Sequence, residues 1–323
     1  MASLLQFPLD YQDDTLGAGF SCATLHLPND TQGPVVAKLI RKKANMPTKK
    51  AVLYIHGFID YFFQAEMALE FNHHDYDFYA LDLRKYGRAL LPHQKPYDVH
   101  DLREYDAEIS QALDIIWREG HQSLILAGHS TGGLICTSYA ARNHKHPLLK
   151  ALWLNSPFFD FNVKSKATQF ALSQIIKLGE VFPNLPLPSG LNPLYVPSLH
   201  QELKGEWQFN LKLKPQNYPF VRLSFLRAVY RVQQELQRGI RLNLPTLVMH
   251  SHHSSHPKKW STEVQSSDII LNVQDIDRCT RHIAGDVQII AIQQAMHDVI
   301  LSKKPVRELA YQTLFTWLKS RGL

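Results

Sequence analysis

Cysteine is scarce in this sequence, and long apolar runs are missing. The 323 residues include three cysteines, an odd number and too few for a disulfide framework. No run of about 18 consecutive apolar residues occurs, so we expect no membrane-spanning helix. The N-terminal stretch also lacks the basic start and the longer apolar run of a secretory signal peptide. Together these absences predict a protein of the reducing cytoplasm.

A nucleic-acid-binding pattern is missing too, although the formal net charge is +6. The lysines and arginines are scattered, apart from two small clusters at residues 41–43 and 49–50. No basic run is interleaved with aromatic residues along one element, as a nucleic-acid interface would require. We therefore expect no nucleic-acid partner, whereas the positive charge leaves room for a transient contact with an anionic membrane surface.

A complete metal-binding motif is also missing. His250, His252, His253 and His256 recur at spacings that zinc ligands use, but no cysteine or carboxylate accompanies them. We interpret them as loop residues and expect neither a metal nor another cofactor. The sequence carries no indication of an oligomeric state.

Apolar runs separated by helical patterns are what the sequence does contain. Hydrophobic residues make up 45% and charged residues 20%, the composition of a well-packed globular protein. Strand and helix patterns alternate, which predicts an α/β fold with a mostly parallel central sheet and helices on both faces. The apolar runs typical of buried strands lie at residues 51–55, 78–82, 123–127, 151–155, 246–249 and 287–292.

The alternation of strands and helices stops after Pro157 and resumes near residue 244. Between these points two helical patterns flank a proline-rich segment, and no strand run of the earlier kind occurs. We therefore predict a largely helical cap at residues 158–243, inserted over the carboxyl edge of the sheet. The core would consist of residues 1–157 and 244–323.

The stretch Gly128-His129-Ser130-Thr131-Gly132 matches the pattern Gly-x-Ser-x-Gly, between a predicted strand and a predicted helix. In that context the motif forms a very sharp turn, and a side chain at either glycine would clash with neighbouring backbone. The N–H groups that open the helix point back towards the serine. We therefore predict that Ser130 is a nucleophile.

Four motifs resemble those of one superfamily and follow its order along the chain. They are Tyr54-Ile-His-Gly-Phe58, Leu81–Arg88, Gly128–Gly132 and Ala295-Met-His-Asp298. With them the sequence resembles the α/β-hydrolase superfamily, and more narrowly the monoacylglycerol lipase-like and lysophospholipase-like serine hydrolases, which are also grouped with serine aminopeptidases. The insertion carries no motif that matches. The resemblance implies the α/β-hydrolase fold and a triad in the order serine, acid, histidine.

A serine hydroxyl is a weak nucleophile at neutral pH and needs an adjacent base. In the order that the resemblance implies, the base is a histidine late in the chain. His297 follows the last predicted strand by a short loop, and it is the only histidine of the sequence after that strand. We predict that His297 is the base.

The acid departs from the usual pattern of the family, in which an aspartate follows the strand at 246–249 by a few residues. Here residues 250–256 contain no carboxylate. Asp268 stands before Ile269-Ile270, as the acid of the family does, and 29 positions before His297. We therefore predict that the acid loop is extended and that Asp268 is the acid, with Asp275 as the second candidate. Asp298 is expected to support the loop of the base.

The remaining predictions concern the groups around Ser130. The backbone N–H groups of Thr131 and Phe58 would form the oxyanion hole. His129, Phe158 and Phe159 would contact the substrate, with the aromatic residues entering an apolar acyl pocket.

The resemblance implies a serine carboxylic-ester hydrolase that acts on a small acyl ester, with acyl-lipid esters such as monoacylglycerol or lysophospholipid as the expected class. Thioesters and peptides stay open as substrates of the same triad. A catalytically silent hydrolase fold used for binding is the alternative from another class, and the missing acid at the usual place favours it.

Overall fold

The computed structural model describes residues 8–143, 145–163 and 165–323. Residues 1–7 lie outside the described residues, and with them most of the stretch on which the signal-peptide expectation depends. Among the described residues, no helix is long and apolar enough to cross a membrane.

A central sheet of nine strands organises the described residues. Its order is β1-β2-β4-β3-β5-β6-β7-β8, with the two-residue strand Gln12–Asp13 paired to β1 at the edge. The pairs β1–β2 and β2–β4 are antiparallel, and all later pairs are parallel. The strands are β1 Phe20–Asp30, β2 Gly33–Lys42, β3 Lys50–Ile55, β4 Tyr76–Asp82, β5 Ser123–His129, β6 Leu149–Asn155, β7 Thr246–Ser251 and β8 Val287–Ile292.

Helices cover both faces of the sheet, and this explains why the central strands are continuous apolar runs. Along β5, Leu124 and Leu126 face one core cluster, whereas Ile125 and Ala127 face the other. Helices α2, α3 and α6 pack in the first cluster, and α1 and α8 pack in the second. The helices are α1 Ala65–His73, α2 Asp106–Arg118, α3 Thr131–Arg142, α4 Lys166–Lys177, α5 Tyr195–Leu199, α6 Leu223–Gln237, α7 Val273–Thr280 and α8 Lys304–Ser320.

Helix α2 is amphipathic. Ile109, Leu113 and Ile116 are fully buried, whereas Trp117 is 50% exposed. Successive residues of a helix lie about 100° apart, so Trp117 falls beside the stripe that ends at Ile116.

The insertion contains α4, α5 and α6, joined by irregular segments. Helices α4 and α6 fall on the two helical patterns of the sequence, whereas the short α5 was not predicted. Its last helix, α6, buries Phe225, Val229 and Val232 in the same cluster as the core helices α2 and α3. The cap boundaries at residues 158 and 243 stay predictions, because α6 shares its apolar face with the core.

Candidate active site

Ser130 occupies the sharp turn between β5 and α3. Its backbone has φ +52° and ψ −117°, a left-handed φ that a residue with a side chain adopts only under strain. The Ser130 N–H donates to the carbonyl of Asn155 at 3.0 Å, and the Phe158 N–H donates to the carbonyl of Ser130 at 2.9 Å. The end of β6 and the first residues after it therefore hold this strained turn from both sides.

Two glycines make the turn sterically feasible. A Cβ on Gly128 would lie 2.5 Å from the Gly132 carbonyl oxygen and 2.8 Å from Cys136 Sγ. A Cβ on Gly132 would overlap the carbonyl oxygens at the end of β3. Neither position accepts a side chain without a shift of backbone, and this is the physical reason for the glycines of the motif.

His297 and Asp268 meet through a short hydrogen bond. His297 Nδ1 lies 2.8 Å from Asp268 Oδ2, and both side chains are buried. Asp268 Oδ1 accepts from the backbone N–H groups of Ile270 at 2.8 Å and Leu271 at 2.7 Å. Three donors thus fix the carboxylate, and one of them is the imidazole of the predicted base.

The segment between β7 and Asp268 is an excursion, residues 254–267, that returns to its starting point. The Asp268 N–H donates to the His253 carbonyl at 3.0 Å, and the Ser255 N–H donates to the Asp268 carbonyl at 3.0 Å. Asp268 is therefore beside the end of β7 in space, where the sequence has histidines in place of an acid.

Asp275, the second candidate for the acid, and two other nearby carboxylates contact different groups. Asp275 accepts from Asn272 and Arg278, and Asp277 is paired with His250 Nε2 at 3.0 Å. Asp298 Oδ1 accepts from Asn155 Nδ2 at 2.6 Å, so this carboxylate ties the loop of His297 to the end of β6. Among the described residues, no cluster of three potential ligands could hold a metal ion.

Ser130 and His297 line the same small cleft. The cavity measures about 30 Å³, enough for one or two water molecules. Two of its walls, Leu191 and Ile270, also border a neighbouring pocket of about 650 Å³ that opens towards solvent. The remaining lining residues are Gly57, Phe58, Ile59, Asp60, His129, Tyr195, Val196, Lys214 and Tyr218.

Two backbone N–H groups near Ser130 have no protein acceptor among the described residues. They belong to Phe58 and to Thr131, the first residue of α3, where the helix leaves its amides unpaired. The loop of Phe58 packs directly on the turn, since a Cβ on Gly57 would lie 3.2 Å from Ser130 Cβ. Their role as a pair of oxyanion donors stays a prediction.

His129 also faces the cleft and is neutral at physiological pH. Burial lowers its pKa to about 4, and the nearby Asp298 carboxylate offsets only part of that effect. Its Nδ1 lies 3.1 Å from the Asn155 carbonyl, and its ring centroid lies 4.7 Å from that of His297. A neutral ring beside the base adds no positive charge that would oppose protonation of His297.

Phe158 and Phe159 lie next to the turn but do not line the cleft. Phe159 is buried in the main core cluster, and Phe158 packs against Phe161. Their substrate role stays a prediction. Sequence reasoning missed Asp60 and Lys214, the charged lining residues described below. Asp60 follows the oxyanion motif closely enough to have been considered, whereas Lys214 lies in the insertion, where no motif signals it.

The chain matches known proteins along most of its length. The family model "Serine aminopeptidase, S33" matches residues 46–303. Epoxide hydrolase 4 of Mus musculus is 30% identical over 110 residues, which are 34% of this chain and 29% of that protein. The chain thus spans less than a third of the length of that curated relative.

Solved structures share the fold at low sequence identity. A soluble variant of monoglyceride lipase from Saccharomyces cerevisiae, in complex with a substrate analogue, superposes with a TM-score of 0.66 at 16% identity, over 92% of this chain and 96% of that chain. Monoacylglycerol lipase from Paleococcus ferrophilus has a TM-score of 0.60 at 20% identity, over 88% and 99%. These likenesses confirm the α/β-hydrolase fold. Because the family model covers well over half of the sequence, this chain belongs to the serine aminopeptidase, S33 family of hydrolases.

Proposed function

We propose that the protein hydrolyses carboxylic esters through an acyl-enzyme on Ser130, and that acyl-lipid esters are its substrate class. The observation that carries the proposal is the Asp268–His297 hydrogen bond of 2.8 Å at a cleft that Ser130 also lines. It supports the hydrolase over a silent binding protein, since the ground for the latter was the missing acid after β7.

In the proposed reaction the His297 Nδ1–H donates to Asp268, so that Nε2 is free to accept the Ser130 proton. Ser130 Oγ attacks the ester carbonyl, and the developing oxyanion accepts from the N–H groups of Phe58 and Thr131. His297 then gives the proton to the departing alcohol. Water, activated by the same imidazole, cleaves the acyl-enzyme and releases the acid.

Support for an acyl-lipid substrate comes from two sides. Leu191, Val196 and Ile270 give the cleft apolar walls, which suit an acyl chain. Two proteins with the same fold are a monoglyceride lipase and a monoacylglycerol lipase. A panel of p-nitrophenyl esters from acetate to palmitate tests the chain length, and a maximum at acetate would contradict the lipid assignment.

The test of the reaction itself is Ser130→Ala with p-nitrophenyl butyrate and a fluorophosphonate label. Because triad members act as a unit, we expect kcat to fall on the order of 10⁶-fold and the label to be lost. Ser138→Ala, on the same helix, is the matched control and should keep both. Retention of more than a few per cent of the activity by Ser130→Ala would remove Ser130 as the nucleophile.

A further inference from the structure

The cleft contains a buried ion pair that the proposed reaction does not use. Lys214 Nζ, from the insertion, lies 2.8 Å from Asp60 Oδ2, and the two side chains are 4% and 2% exposed. Both residues line the cleft with Ser130 and His297. The desolvation cost of burying two charges is often larger than the attraction between them. We therefore asked whether this ion pair binds part of the substrate.

Each member of the pair keeps unused hydrogen-bonding capacity. Asp60 accepts from the Tyr61 N–H at 2.9 Å and from Lys214, but a carboxylate can accept about four hydrogen bonds. Among the described residues, the Lys214 ammonium has Asp60 as its one carboxylate partner and otherwise lies over the rings of Phe63 and Tyr195, at 5.6 and 5.5 Å. An ammonium has three N–H donors, so donors remain for a ligand.

Tyr195 adds a third polar group with nothing to bind. Its hydroxyl is buried and has no hydrogen-bond partner in the described structure. A buried hydroxyl without a partner is costly, and it marks a place where a ligand group would be stabilised.

The position of these groups relative to the base assigns them to one side of the reaction. The Tyr195 ring centroid lies 5.7 Å from that of His297. His297 must be next to the oxygen that it protonates, which is the oxygen of the departing alcohol. The groups gathered around Tyr195 and Lys214 therefore adjoin the residue that would protonate the departing alcohol.

We propose that Asp60, Lys214 and Tyr195 form a subsite for a hydroxyl group on an uncharged leaving alcohol. This inference rests on the proposed function. A hydroxyl can accept from Lys214 and donate to Asp60 at the same time, so it satisfies both members without adding charge. A phosphate would add negative charge where Asp60, Asp268 and Asp298 already lie, with Lys214 as the facing ammonium. The subsite thus favours glycerol-type leaving groups over phosphate-bearing ones.

The test compares three esters of one acyl chain: decanoyl glycerol, propyl decanoate and decanoyl glycerol phosphate. Propyl decanoate lacks the hydroxyls, and the third ester adds the phosphate. We expect kcat/KM for the glyceryl ester to exceed that for the propyl ester about 10- to 100-fold, as a hydrogen bond to a charged group allows. The value of kcat/KM for decanoyl glycerol phosphate should be lower than that for decanoyl glycerol.

The double variant Asp60→Asn/Lys214→Met removes both charges and should bring the glyceryl-to-propyl ratio close to one. Tyr195→Phe removes a hydroxyl that has no protein partner, so it should fold normally and lower the same ratio if the double variant does not fold. The matched control is Asp30→Asn/Lys85→Met. It removes an ion pair outside the cleft, in which the buried Lys85 Nζ lies 2.6 Å from Asp30 Oδ2, and it should leave the ratio unchanged.

A parental ratio near one, or an unchanged ratio in Tyr195→Phe and the double variant, would overturn the subsite. Faster turnover of the phosphate ester, lost on removing Lys214, would overturn it in favour of anion binding. Failure of the proposed function looks different, because then none of the three esters would show Ser130-dependent hydrolysis.

Discussion

Replacing Asp268 by asparagine would change a single atom of the side chain and reverse one hydrogen bond. The backbone N–H groups of Ile270 and Leu271 point at Oδ1 from 2.8 and 2.7 Å, so the amide oxygen must take that place. The amide NH₂ is then forced to face His297 Nδ1, where Oδ2 lies 2.8 Å away in the parent. His297 Nδ1 becomes an acceptor, and its proton moves to Nε2.

With a proton on Nε2, His297 cannot take the proton of Ser130. An equivalent change in a serine protease lowers kcat about 10⁴-fold, which corresponds to about 5 kcal/mol in the activation barrier. We expect a similar loss here. The thermal stability should change little, because both backbone bonds to the side chain survive.

The measurement is kcat on p-nitrophenyl butyrate, with active sites counted by fluorophosphonate so that traces of parental enzyme are recognised. Asp275→Asn and Asp277→Asn are the matched controls, because these carboxylates contact Arg278 and His250 instead. If Asp268→Asn kept more than about a tenth of the parental kcat, or Asp275→Asn lost as much, Asp268 would not be the acid.

Two further predictions concern stability. Burial lowers the pKa of His129 to about 4 from the ordinary value near 6.5, so between these pH values the unfolded chain takes up a proton and the folded protein does not. The free energy of unfolding should therefore fall between pH 7 and pH 4.5, by on the order of 2–3 kcal/mol more in the parent than in His129→Gln. Urea unfolding at the two pH values measures this fall, and an equal fall in parent and variant would contradict the prediction. Arg84→Met removes the partner that lies 2.6 Å from the buried Glu108 carboxylate, and the free energy of unfolding should fall by about 3–5 kcal/mol. The control Arg103→Met breaks an exposed ion pair and should lower it by under about 1 kcal/mol. Similar losses in the two variants would refute the reasoning.

Local chemistry made much of the fold and the core of the candidate site predictable. The strands are apolar runs because helices cover both faces of the sheet, and the turn at Ser130 requires glycines that the sequence displays. The resemblance to the family, through the two isoleucines after Asp268, is what singled out this aspartate, which the structure places 2.8 Å from His297 Nδ1.

What the sequence could not give depends on contacts between distant segments. Lys214 meets Asp60 across the cleft, and nothing in the residues around Lys214 distinguishes it from a solvated lysine. Phe158 and Phe159 show the same dependence, because aromatic residues beside such a turn can line a cleft or pack into the core. Which of the two they do depends on the direction in which the chain leaves β6.

Because of the excursion at residues 254–267, Asp268 is far from β7 along the chain but close to it in space. Because Asp268 pairs with His253 and Ser255, its position at the end of β7 depends on these two backbone hydrogen bonds and not on the length of the excursion. The entropy of closing such a loop grows only with the logarithm of its length, about 0.6 kcal/mol per doubling. An insertion between the exposed Lys258 and Lys259 should therefore change catalysis little, and this position offers a site at which a reporter peptide can be carried.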